Sequence, residues 1–312
     1  MHVCRGEKTA NYNLMNTRNI SFPSNRVSDI RATFRRELAD LYPEGEIAAF
    51  VGWLMEAYMG WDTTQMLLHN GDTINQSDLL RFHHALADLK RCRPIQHIVG
   101  YTDFCGCRIK VSPDVLIPRP ETAELVACVV EEARQMDKHA PLRIVDLCTG
   151  SGCIAIAVAR EMPDAEVMAV DVSEAALEVA KVNAADNGVE VRFVQADILG
   201  ASAVDAVGGE PLDIIVSNPP YIMHSEQDAM RRNVLDYEPH MALFVDDADP
   251  LLFYRAIADI ADRRLARHGI VAVEINEMLG DETVQLFADR GYRCELYQDI
   301  NGKDRIVVCR RG

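Results

Sequence analysis

Ile144-Val145-Asp146-Leu147-Cys148-Thr149-Gly150-Ser151-Gly152 is an apolar run broken by one acid and closed by a glycine turn, with a helix-forming segment behind it. It reads as a buried strand feeding a tight turn into a helix. Glycine lets the backbone come close to a ligand, and the carboxyl edge of an open α/β sheet is where such folds bind nucleotides. With Ala155 the turn also fits the G-x-G-x-x-A spacing of dinucleotide enzymes, and Asp171, about 20 residues on, can hold a ribose in either case. Two further acids favour a cationic cofactor, S-adenosylmethionine. Asp146 stands inside the strand, where a dinucleotide enzyme usually has an apolar residue. Asp197, with Ile198 after the third strand, is placed to meet an adenine amino group or, alternatively, to cap a helix.

Outward from this turn, helix-like and strand-like periods alternate. Helices are expected over 121–135, 153–161, 174–187, 250–267 and 281–289. Strands are expected over 143–147, 166–170, 190–195, 212–216, 270–275, 293–297 and 305–309. Seven strands with helical crossovers make a doubly wound, Rossmann-like α/β sheet with an antiparallel end. Upstream, apolar residues recur at helical spacing (Ile30, Phe34, Leu38, Leu41; Ile47, Phe50, Leu54, Met55), with Ser28 and Ser77 where N-caps belong and a turn at Asn70-Gly71. That predicts a small helical, substrate-docking domain over 27–94. The glycines and prolines of 95–120 suit a β-hairpin linker, residues 121–312 form the catalytic domain, and 1–26 read as a disordered extension.

After the fourth strand comes Ser217-Asn218-Pro219-Pro220-Tyr221. Two prolines stiffen the loop and remove backbone donors, which fixes the Asn218 side chain and the Pro219 carbonyl in space. Two such acceptors can hold both protons of an NH2 group whose lone pair is delocalised, so catalysis is mostly positioning. Tyr221 can stack on a planar substrate. Together the glycine turn and this loop form a signature for amino-methyltransferases. Neither half suffices alone, and base methylation of nucleic acid or a nicotinamide oxidoreductase remain competing readings.

Net charge is −16, and residues 101–312 carry all of it, with 21 basic against 37 acidic side chains. Such a surface repels a phosphate backbone and welcomes a basic protein partner, so no direct nucleic-acid contact is expected. The nine cysteines are odd in number and free of C-x-x-C pairs, and read as reduced thiols with no metal site. His83-His84 read as a helix face. No apolar run reaches the roughly 20 residues of a membrane helix and no signal-peptide core is visible, so the chain is expected to be cytoplasmic and off the membrane.

The stretch Arg93-Pro94-Ile95-Gln96-His97-Ile98-Val99-Gly100-Tyr101-Thr102-Asp103-Phe104, followed by Val115-Leu116-Ile117-Pro118-Arg119-Pro120-Glu121-Thr122, resembles the glutamine-N5 methyltransferase (HemK) family that modifies peptide chain release factors. The resemblance runs from about residue 93 to the C-terminus. It implies methyl transfer from S-adenosylmethionine to the glutamine of the Gly-Gly-Gln tip of class-one release factors, and separately the chain is expected to act as a monomer. It implies catalytic roles for Asn218, Pro219 and Tyr221, with Pro220 and Phe104 beside the substrate. Cofactor contacts are expected at Asp146, Cys148, Thr149, Gly150, Ser151, Gly152, Asp171, Asp197, Ile198 and Asn218, bordered by Arg119, Glu121 and Thr122. A related enzyme acting on a large-subunit ribosomal protein shares the glycine turn, but has Ser after the Pro-Arg. Two departures stand out: Cys148, where many release-factor enzymes have Gly, and Asn276, where Gly is common.

Overall fold

The structure, a computed structural model, describes residues 20–136 and 141–311, so most of the expected 1–26 extension lies outside the described residues. Contacts divide the chain into two compact units. One holds the residues up to Gly100 with Met230–Tyr237, and the other holds Tyr101–Ala229 with Glu238–Gly312.

The first unit is helical: α1 (Val27–Leu38), α2 (Glu44–Met59), α3 (Thr63–Leu68), α4 (Gln76–Leu89) and α5 (Ile95–Val99). The helical spacing read from the sequence buries Ile30, Phe34, Leu38, Leu54, Phe82 and Leu86 completely in one core. The caps fall elsewhere than expected. Ser28 and Ser77 lie inside α1 and α4. The Asn75 side chain accepts from Asp78 N to cap α4, while Arg26, paired with Thr73 in a β-bridge, precedes α1. A β-hairpin linker was expected from residue 95, but α5 forms there first and ends at Gly100 with φ 88°.

The second unit opens with an antiparallel hairpin, β1 (Tyr101–Phe104) and β2 (Cys107–Lys110). Then come α6 (Pro120–Gln135), β3 (Arg143–Leu147), α7 (Cys153–Glu161), β4 (Glu166–Asp171), α8 (Glu174–Asn187), β5 (Arg192–Gln195), α9 (Ala203–Ala206), β6 (Leu212–Ser217) and β7 (Ile222–Met223). Past α10 (Arg232–Leu235), which belongs to the first unit, follow β8 (Phe244–Val245), α11 (Leu252–Arg264), β9 (Leu265–Glu274), α12 (Gly280–Ala288), β10 (Tyr292–Gln298) and β11 (Asp304–Arg311). The seven-stranded sheet has the order β10-β11-β9-β6-β3-β4-β5, parallel from β9 to β5, with β11 antiparallel to both neighbours. Central strands are apolar on both faces, as helix-covered parallel strands must be, and two cores lie on opposite sides of them. The strand order reverses between β3 and β6, and their carboxyl ends open a crevice there.

The reduced-thiol reading is corrected at one pair: Cys294 and Cys309 form a disulfide. The register of β10 and β11 sets these residues directly opposite each other, a long-range pairing that no short Cys spacing announces. Among the described residues no helix is long and apolar enough to cross a membrane, and no His/Cys/Asp/Glu group is arranged to hold a metal.

Candidate active site

The crevice is a cavity of about 290 Å³. On one side it is walled by Cys148, Thr149, Gly150 and Ser151, and on others by Asp171, Asp197 and Ile198, by Arg119 and Thr122, and by Asn218 and Pro220. The glycine turn and the Asn-Pro-Pro loop therefore meet in one space, because β3 and β6 are neighbours and both exit at their carboxyl ends. Ser217 Oγ donates to Leu147 O at 2.6 Å and ties the two strand ends together.

Side chains hold the glycine turn from three directions. Asp171 Oδ2 accepts from Gly150 N at 2.8 Å, Asp146 Oδ2 accepts from Thr149 Oγ1 at 2.5 Å and Ala155 N at 3.2 Å, and Asn183 Nδ2 donates to Ser151 O at 2.9 Å. Cys148 sits at φ 60°, a left-handed conformation in which a side chain costs roughly 1–2 kcal/mol. The departure from Gly thus has a backbone cost.

Asp146 is fully buried and does not line the cavity, so it carries the turn from beneath instead of facing the open space. Its Oδ1 is buried without a partner. Burial pushes its carboxyl up to about 7, against the pull of the Thr149 and Ala155 hydrogen bonds. An unfolded Asp titrates near ~3.9. Between those values the folded chain binds a proton that the unfolded chain does not, so stability falls as pH rises through that window. Asp146→Asn is expected to flatten this part of the curve, read from urea midpoints between about pH 4 and pH 8. Parallel curves for the two proteins would show that Asp146 keeps an ordinary pKa.

On the other side, Asn218 Nδ2 donates to Thr122 Oγ1 at 3.1 Å, Thr122 Oγ1 donates to Glu274 Oε2 at 2.7 Å, and Tyr221 OH donates to Glu274 Oε1 at 2.9 Å. Burial pushes the Tyr221 phenol up, which keeps it a donor. Arg119 Nη2 meets Glu238 Oε1 at 2.5 Å, and Glu238 Oε2 accepts from Ile117 N at 3.0 Å, so the proline-rich segment before α6 is locked to the rim. Asn276 ties the loop down from its far end, donating to Tyr221 O at 3.2 Å and Glu226 Oε2 at 2.8 Å.

Several expected site residues are not on the cavity wall: Asp146, Gly152, Glu121, Pro219, Tyr221 and Phe104. Phe104 is buried in a core that also holds Cys153 and Ile154 of the cavity wall, and the hairpin turn after it meets α7, where Arg160 donates to Gly106 O. Gly152 caps α7 and faces α8. Residues not foreseen are Asn183, Glu238 and Glu274, each a single polar residue with no local motif around it.

The wall chemistry suits a cationic nucleoside. Asp114, Asp171 and Asp197 face the space against one cation, Arg119, and that cation is already paired with Glu238. Ile198, Leu199, Val172 and Phe253 supply apolar surface for an adenine ring. A pyrophosphate would meet three carboxylates here. S-adenosylmethionine, with its sulfonium and ammonium charges, meets them favourably.

Two family models match the chain, the PrmC N-terminal domain over residues 29–100 and the methyltransferase small domain over residues 132–237. A protein of Flavobacterium psychrophilum named release factor glutamine methyltransferase is 40% identical over 282 residues, 90% of this chain and 98% of that protein. One of the same name from Bacteroides thetaiotaomicron is 40% identical over 283 residues, covering 90% and 99%.

Proposed function

Since the chain belongs to the release factor glutamine methyltransferase family, we propose that its substrate is the glutamine of the Gly-Gly-Gln tip of class-one peptide chain release factors, methylated on the side-chain nitrogen. The observation that carries the reading is the shared cavity. Asn218 and the glycine turn border one space, so a carboxamide held by the first lies next to a cofactor held by the second. When bound, S-adenosylmethionine supplies an electrophilic methyl carbon.

The chain's own residues supply placement. Asn218 Oδ1 and the Pro219 carbonyl accept the two N–H protons of the incoming carboxamide and draw its nitrogen out of conjugation. Asp171 and Asp197 hold the ribose and adenine ends of the cofactor. The Pro219-Pro220 segment keeps the acceptors rigid, which is where the rate advantage lies. No general base is needed before attack, because the nitrogen loses its proton only after the new bond makes it acidic. The same reading has the helical unit dock the release factor and the enzyme work in the cytoplasm as a monomer, without membrane or direct nucleic-acid contact.

Incubation of the purified enzyme with methyl-labelled cofactor and a release factor is expected to label the intact protein and leave unlabelled a version with the Gly-Gly-Gln glutamine changed to alanine. Equal labelling of both refutes the assignment.

A further inference from the structure

We propose that Glu274 is the positioning residue that decides which way round the Asn218 amide faces the substrate. The proposal rests on the role given to Asn218 above. Glu274 ends β9, is 1% exposed and does not line the cavity, so it acts only through its neighbours.

The argument is one of hydrogen-bond direction. A hydroxyl has one proton to donate. Thr122 gives its proton to Glu274 Oε2 at 2.7 Å, so towards Asn218, 3.1 Å away, the Thr122 oxygen can only accept. Asn218 must then turn Nδ2 to Thr122, which leaves Oδ1 as the acceptor for an incoming N–H. The two ends of an amide are nearly the same size, and the flipped form would set a donor against the substrate's donors. Shape alone does not choose between them. An ionised carboxylate does, because it accepts and never donates.

The second oxygen of the same carboxylate accepts from Tyr221 OH at 2.9 Å, so one side chain pins the loop at residue 221 and, through Thr122, at residue 218. Groups that act on Glu274 include Thr122, Tyr221, the Arg305 cation and the Glu121 carboxylate. Burial pushes the Glu274 carboxyl above the usual carboxylate range, against the pull of the two hydroxyl donors and Arg305 toward the charged, accepting form. The backbone at and after Glu274 is fixed as well: Tyr254 OH donates to Glu274 O at 3.1 Å and Arg305 Nη1 to Ile275 O at 3.3 Å.

The test uses the full-length enzyme and a release factor. Glu274→Gln and Thr122→Val are each expected to lower kcat about 10- to 100-fold, with KM for the cofactor changed far less. Thr122→Ser, which restores the hydroxyl, is expected to recover most of the loss. Because Glu274 acts through Thr122, the double variant is expected to lose no more than the worse single one. A Glu274→Gln enzyme with wild-type kcat, losses that multiply in the double variant, or no rescue by serine would each overturn the proposal. Failure of Asn218 itself is separable: if Asn218→Ala leaves kcat unchanged, the role of Asn218 falls before that of Glu274.

Discussion

Asn218→Ala is expected to lower kcat for release-factor methylation by about 10²- to 10³-fold while S-adenosylmethionine affinity changes little. The size follows from what is removed. A preorganised hydrogen-bonding group aimed at the reacting centre contributes about 3–4 kcal/mol to lowering the barrier, and each ~1.4 kcal/mol is a factor of ten in rate. The asymmetry follows from the geometry. Glycine-turn and strand-end residues line the side of the cavity proposed to take the cofactor, and are held by hydrogen bonds with Asp171, Asp146 and Asn183, none of which involves Asn218. Truncation leaves that scaffold in place. It removes the Oδ1 acceptor and strands the Thr122 oxygen, which had accepted from Nδ2. Single-turnover rates at saturating cofactor, set beside calorimetric titration of cofactor into the same variant, separate the two effects. A collapse of cofactor affinity with an unchanged saturated rate would make Asn218 a cofactor residue.

How much of this was readable in the chain depends on how local each device is. The glycine turn, the acids at successive strand ends and the Asn-Pro-Pro-Tyr loop each lie within a few consecutive residues, and the αβ alternation brings them to one sheet edge. Once the strand order is doubly wound, Asp171 and Asn218 face the same crevice without further information. The supporting partners are another matter. Glu274 lies 152 residues from Thr122, and Glu238 lies 119 residues from Arg119. Neither sits in a motif, and a lone Glu after an apolar strand looks like a solvent-facing strand end until the packing buries it. Asn183 reads as an ordinary helix residue, yet it clamps Ser151 and both backbone groups of Lys110. Phe104 was placed by the resemblance alone, and the structure buries it in a core shared with Cys153 and Ile154 of the cavity wall. The Cys294–Cys309 pairing depends on the register of two strands, which only the closed sheet defines.

Gly152→Ala is expected to cost roughly 2–5 kcal/mol of stability in the catalytic unit, and to weaken cofactor binding with it. Two terms add. Gly152 has φ 80°, where a side chain costs about 1–2 kcal/mol. A Cβ there would also lie 2.9 Å from Ala180 Cβ, 3.1 Å from Ile156 Cδ1 and 3.3 Å from Ala180 Cα, closer than packed atoms tolerate. Ile156 has rotamers to yield with, but Ala180 is a fully buried methyl on α8 and can move only if the helix does. Forced overpacking of this kind costs about 1–3 kcal/mol. Any shift of α7 away from α8 drags the turn proposed to accept the cofactor, since Gly152 N donates to Thr149 O and Ile156 N to Gly152 O. Gly150 supplies the control. Its φ is 54°, but nothing lies within 4 Å of an added Cβ, so Gly150→Ala carries the backbone cost alone. Urea midpoints of the two variants are therefore expected to differ by the overpacking term, with Gly152→Ala the less stable. If they coincide, the approach of α7 to α8 is not what demands glycine at 152, and backbone conformation alone explains both positions.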